Sequence, residues 1–192
     1  GAGATAATPY RSLPGHSWRI VADALARHPQ AWGGPLLLTM LAKAPETDTE
    51  LVYALRLALK HHALIATAAT LNDWAAANSV AADRVADVCV AVATPAAAEF
   101  LLAHLDRTRF AGGRVGEFAR QAVLQLPTDR LEGIEPLLPA LQRAPASQQL
   151  AFAEGLATLA AKPDRSLPPR VSAWMQQALT TEGVDLRCVR RV

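Results

Sequence analysis

A chain of 192 residues that is 51% hydrophobic has ample material for one compact domain or one short repeat array. Its 19 Lys and Arg against 17 Asp and Glu leave a formal net charge of +2, which argues against the large basic excess of a dedicated nucleic-acid binder. No apolar run reaches the roughly 18 residues a membrane span needs. The two cysteines, Cys89 and Cys188, lie outside any CxxC, so neither a disulfide framework nor a zinc cluster is expected.

With 41 Ala and 27 Leu against 3 Ile and 2 Tyr, the chain favours residues that lose little rotamer freedom in a helix, and an all-α fold is expected. In chain order, residues 1–16 are small, polar or rich in Pro and Gly, and form a flexible lead-in. Ser17 is the expected cap of a first helix that ends before Pro29. Gly33 and Gly34 supply a turn, and Pro35 opens a leucine-rich helix over 35–43. After a loop in which Thr47, Asp48 or Thr49 is each a candidate cap, a helix runs to His61 and His62 and is followed by a second over 63–78. Asn78 and Ser79 mark the next boundary before a helix over 80–93, and Thr94-Pro95 pairs a cap with a first-position proline. Gly112-Gly113 turns the chain into a helix ending near Leu126. Pro136 and Pro139 should bend the helix over 129–143 or delay its start to near Pro136, Ser147 caps another, and a last helix spans 169–181. The C-terminal connection, 183–192, alternates apolar and basic residues in the manner of an edge strand.

Five segments repeat one offset pattern: Trp18/Val21/Ala22/Leu25/Ala26, Leu51/Ala54/Leu55/Ala58/Leu59, Val85/Val88/Cys89/Val92/Ala93, Val115/Phe118/Ala119/Ala122/Val123 and Gln149/Phe152/Ala153/Leu156/Ala157. Offsets of three, four, seven and eight place each set on one stripe of a helix. Their first members stand 33, 34, 30 and 34 residues apart. Such a period is what stacked helical hairpins produce, because each hairpin can bury its stripe only against its neighbours.

Helices such as RVGEFARQAVLQL, each preceded by a leucine-rich partner such as PLLLTML, AEFLLAHL or EPLLPAL, resemble the two halves of HEAT repeats over residues 17–182. The resemblance implies an α-solenoid of about five helical hairpins, an armadillo-type fold, that works as a non-enzymatic scaffold or spacer in contacts with a protein partner or neighbouring domains. The phrases ARHPQAWGGPLLLTML and TDTELVYALRLALKHH also resemble helical segments of large bacterial proteins that join a β-propeller to a c-type haem module. Under that resemblance this stretch is the helical part of an oxidoreductase whose chemistry lies in other domains, and no cofactor of its own is expected.

His61 and His62 point about 100° apart on a helix and are poorly placed to share a metal, so they read as residues suited to their own helix's C-terminus. His28 reads the same way, and His104 flanks a leucine stripe singly. Cys89 takes the place of Ala22, Ala119 and Ala153 in other copies and should be a small buried residue, whereas Cys188 is expected to be exposed. The segment GAGATA follows no strand, so its formal GxGxxA match carries no dinucleotide reading. Asp83/Asp87 and Glu132/Glu135 are expected on solvated faces. The candidate interaction patch is Arg107, Arg109, Arg114 and Arg120 around one turn, with Arg187, Arg190 and Arg191 near the C-terminus. Nucleic-acid binding through that patch is the rival to protein binding.

Overall fold

The computed structural model describes residues 14–30, 32–109, 114–163 and 165–181. Among them the regular structure is entirely helical: α1 Pro14–Arg27, α2 Gly33–Lys43, α3 Thr49–Ile65, α4 Ala68–Ala75, α5 Ser79–Cys89, α6 Pro95–Arg107, α7 Val115–Gln125, a 3-10 segment Thr128–Leu137, α8 Leu138–Leu141, α9 Ala146–Ala160 and α10 Pro169–Thr181. The expected C-terminal strand and most of the expected lead-in lie outside the described residues. The chain divides into two compact units, Gly1–His62 and Ala63–Val192.

In the N-terminal unit, α3 begins where its first backbone N–H groups find an acceptor. Asp48 supplies it, its Oδ1 taking the Leu51 N–H at 3.1 Å. The same carboxylate meets Arg19 of α1 at 2.6 Å, and Arg19 reaches Glu50 at 2.7 Å. The Leu51 hydrogen bond and then the Arg19 charge hold Asp48 below the usual carboxylate range. One side chain therefore caps α3 and ties it to α1.

Four expected boundaries move. First, α1 opens at Pro14, ahead of the expected Ser17 cap. Second, α3 runs through His61 and His62 to Ile65, and the break falls at Thr67, whose hydroxyl oxygen accepts the Thr70 N–H at 3.1 Å to start α4. Third, Asn78 rather than Ser79 caps α5, accepting the Ala81 N–H at 2.8 Å, and Ser147 lies inside α9 rather than ahead of it. Fourth, the stretch expected as a helix over 129–143 is 3-10 up to Leu137 and α-helical only over Leu138–Leu141, close to the expected late start near Pro136, because Pro136 removes a backbone donor that a continuous α-helix needs. The Thr94-Pro95 start of α6 is as expected, with the Thr94 hydroxyl accepting the Ala97 N–H at 3.2 Å.

Within the C-terminal unit, α4 packs on α5 and α6, α5 on α6, α6 on α7, α7 on α9, and α9 on α10. The closest seam joins α7 and α9, where a Cβ added to Gly116 would stand 2.7 Å from the Ala151 Cβ and one added to Gly155 would stand 3.2 Å from the Arg120 Cα. Two glycines thus let these backbones approach more closely than any larger residue would permit. Above the seam Phe152 meets Trp174 of α10 edge to face, with ring centroids 5.8 Å apart.

The repeated stripe is the inward face in most of its members. Its third position, Ala22, Leu55, Cys89, Ala119 and Ala153, is 0% exposed in all five copies. Burial pushes the Cys89 thiol up to about 12, so it behaves as the small apolar residue the pattern requires. Two stripe members fail. Val21 is 39% exposed, and Ala93 is exposed past the end of α5, which stops at Cys89, although Val92 beside it stays buried.

Candidate interaction surface

Polar side chains in this protein are spent largely on helix ends and on neighbouring helices. His61 and His62 are the clearest case, and their role extends beyond the one expected. His62 falls in the last turn of α3, as expected, with His61 just before it, and both also serve the C-terminus of α1. His61 Nδ1 lies 2.8 Å from the Ala26 carbonyl, and His62 Nε2 lies 3.2 Å from the Leu25 carbonyl. His62 Nδ1 also lies 2.8 Å from the Gln30 carbonyl and 3.2 Å from the Gln30 backbone N. Both imidazoles thereby meet carbonyls at the end of α1 and in the loop after it; those of Leu25 and Gln30 also accept the His28 and Gly33 backbone N–H groups, at 3.2 and 2.9 Å. The His62 ring is 1% exposed, and a Cβ on Gly33 would collide with it, so the Gly33-Gly34 pair makes room for an imidazole as the first turn of α2.

His104 of α6 is likewise buried, 4% exposed, between Phe100 and Phe118, with ring centroids 6.0 and 5.8 Å away. Its Nε2 stands 3.6 Å from Asp83 of α5, and its Nδ1 is buried without a hydrogen-bond partner. Burial lowers its pKa, against the pull of Asp83, so the neutral imidazole is the favoured form near neutral pH. Among the described residues no group of three or more His, Cys, Asp and Glu is placed to hold a metal ion.

The four candidate arginines are all exposed, and their surroundings differ. Arg107, at the end of α6, donates to Asn72 Oδ1 of α4 at 2.8 Å and lies 5.6 Å from the centre of the Phe100 ring. Arg114, just ahead of α7, pairs with Asp87 of α5 and donates to Glu117 at 2.8 Å, while its guanidinium stands 5.4 Å from the Phe118 ring centre. Its charge holds Glu117 below the usual carboxylate range. Arg120 is part of the α7–α9 seam, its backbone set against Gly155. Arg109 differs: its side chain is 80% exposed, 3.7 Å from Asp106, and its backbone is left-handed at φ 52°.

Beside Arg109 the surface opens into a cleft of about 510 Å³ lined by Asp106, Arg109, Pro136, Pro139, Ala140 and Arg143. Of these, sequence reasoning singled out only Arg109 as a candidate for contact. The prolines read as helix breakers, and what they do besides is wall a cleft between the end of α6 and the 3-10 and α8 segment. Their spacing held that signal in part, since two prolines three apart in an expected helix force irregular backbone toward the surface.

No protein-family model, no curated protein and no solved structure matches this chain.

Proposed function

We propose that the chain is a HEAT-like α-solenoid of helical hairpins acting as a non-enzymatic scaffold or spacer, which holds a protein partner or neighbouring domains of its own chain. The observation that carries this reading is the reach of its side-chain links. Arg19 to Asp48 spans 29 residues, Arg114 to Asp87 27, His61 to Ala26 35, Arg107 to Asn72 35, and Arg165 to the Leu126 carbonyl 39. Each span is close to one period of the repeated stripe. Links confined to one period are what nearest-neighbour stacking demands, since a repeat array has no single centre for distant segments to share.

The chemistry fits the same reading. The buried imidazoles, the buried thiol and most of the candidate arginines are engaged in packing, capping or ion pairing, which builds a rigid body rather than a reacting centre. Among the described residues no helix is long and apolar enough to cross a membrane.

Small-angle X-ray scattering and chemical cross-linking test the two halves of this proposal. An elongated particle, with cross-links confined to residue pairs about one period apart, is the expected result. A compact, near-spherical envelope with cross-links between residues near 20 and near 170 would overturn the solenoid. Saturable binding of a protein, weakened by charge reversal at exposed side chains with helix content unchanged, is expected of a scaffold; turnover of a small substrate by the chain alone would overturn it.

A further inference from the structure

Arg109 is the starting point. It is the residue at which α6 is terminated: the Arg109 N–H donates to the Asp106 carbonyl at 3.1 Å, the Thr108 N–H to the His104 carbonyl at 3.0 Å, and the backbone turns left-handed at φ 52°. Glycine adopts that conformation without steric penalty, and it is the residue most often found there at helix ends. An arginine in this place strains the backbone, and its guanidinium is 80% exposed, with the half-exposed Asp106 carboxylate 3.7 Å away. What the side chain does reach is the cleft formed with Pro136, Pro139, Ala140 and Arg143.

We infer that this cleft binds an acidic segment of a protein partner, with carboxylates held by Arg109 and Arg143 and aliphatic side chains set against Pro136, Pro139 and Ala140; the inference rests on the scaffold reading above and names the partner's chemistry. The volume is in the range of sites that take a few side chains. Guanidinium groups match carboxylates in a forked geometry, and the proline walls are rigid and apolar. A nucleic-acid strand fits less well. The cleft offers two arginines against Asp106, while Arg107 and Arg114 nearby in sequence are held by Asn72 and by Asp87 and Glu117. Tracking a phosphate backbone takes a longer run of unopposed cations.

The test uses the whole chain and a fluorescein-labelled peptide built from Glu, Pro and Leu, its counterpart with Gln in place of Glu, and an oligothymidylate. Anisotropy reports affinity, and amide chemical shifts report the place of binding. The Glu peptide should bind weakly, with shifts at residues 106, 109, 140 and 143, and the Gln peptide should bind much less. Arg143→Gln should weaken binding about three- to fivefold, as expected for one exposed charge-assisted contact, and added salt should weaken it further. Asp106→Asn should tighten it. The most telling variant is Arg109→Gly, which should raise the melting temperature while weakening the peptide, because a merely structural residue would not trade stability against binding.

Equal binding of the Glu and Gln peptides, shifts elsewhere on the surface, or no binding at about 1 mM peptide would overturn the proposal. So would tighter binding of the oligothymidylate at the same residues, which would make the cleft a nucleic-acid site. A protein partner bound elsewhere leaves the scaffold reading standing when the cleft proposal fails, and the scattering and cross-linking results decide that reading independently.

Discussion

The two units of this chain hold their helices together by partly different means. In the N-terminal unit the links are polar and long: Arg19 to Asp48 and Glu50, and the two histidines of α3 to the carbonyls that end α1. Several large apolar side chains there stay exposed, including Ile20 and Trp32. In the C-terminal unit long polar links recur, Arg107 to Asn72 and Arg114 to Asp87, and the helices in addition approach through small residues, Gly116 against Ala151 and Gly155 against Arg120, and close over Phe100, Phe118 and Phe152. The difference teaches that polar links between helices serve both units, and that close approach of backbones through glycine is added in the second unit where a stripe is fully buried. Val21 is an exposed stripe member in the first unit, whereas Val115, Phe118, Ala119, Ala122 and Val123 are all buried in the second.

Four measurements would break or sharpen that contrast. Phe152→Ala removes a 0% exposed ring and its contact with Trp174, and should cost about 3 to 5 kcal/mol of C-terminal unit stability. Hydrogen exchange resolved by residue should show the loss within α7, α9 and α10; equal loss around His62 would mean that the units unfold as one. Next, His62→Ala should cost about 2 to 4 kcal/mol, since it opens a cavity beside Gly33 and removes the imidazole's contacts with the Leu25 and Gln30 carbonyls, which keep only their backbone donors from His28 and Gly33. Denaturant unfolding checks this, and a change under about 0.5 kcal/mol would show that water replaces the imidazole without penalty.

Ala119→Phe should overpack the inward face of α7 and cost about 1 to 3 kcal/mol. An unchanged melting curve would count against a tight seam as the organising contact of the second unit. The smallest effect concerns pH. Because burial lowers the folded-state pKa of His104, the unfolded chain takes up this proton first as pH falls. The stability contribution is therefore fully present above about pH 6.5, the ordinary histidine value, and is lost as pH falls toward the lowered folded pKa. His104→Leu should remove that part of the acid dependence, read from melting curves between about pH 7 and pH 5. Asp83 and Asp87 of α5 oppose the shift, and Arg107 of α6 adds to it.

Much of the fold was legible as periodicity. The third stripe position is buried in every copy, and Cys89 was readable as an alanine equivalent because its neighbours in the pattern are small. The Thr94 cap, directly ahead of its helix, was also readable, since the bond is local, whereas Asp48 was one of three adjacent candidates until Arg19 was packed against it. The histidine pair was not: adjacent helical residues gave no hint that their partners lay 35 and 37 residues back on α1. Nor were the partners of Arg107 and Arg114 legible, because Asn72 and Asp87 are far from them in sequence. Cleft residues Pro136, Pro139 and Arg143 were read only as breakers and turn residues, since walls become a cleft only when α6 is packed beside them.

Sequence alone determined that this protein is helical, where most of its inward faces lie, and that they recur about every thirty-odd residues. Local bond geometry and the hydrophobic effect act at short range, so their marks stay in neighbouring letters. Which carbonyls the histidines cap, which carboxylates neutralise the arginines, and which glycines admit a neighbouring backbone were decided only by tertiary packing. Those contacts join residues whose separation in the chain carries no local signature, and they exist only after the stripes have been buried against one another.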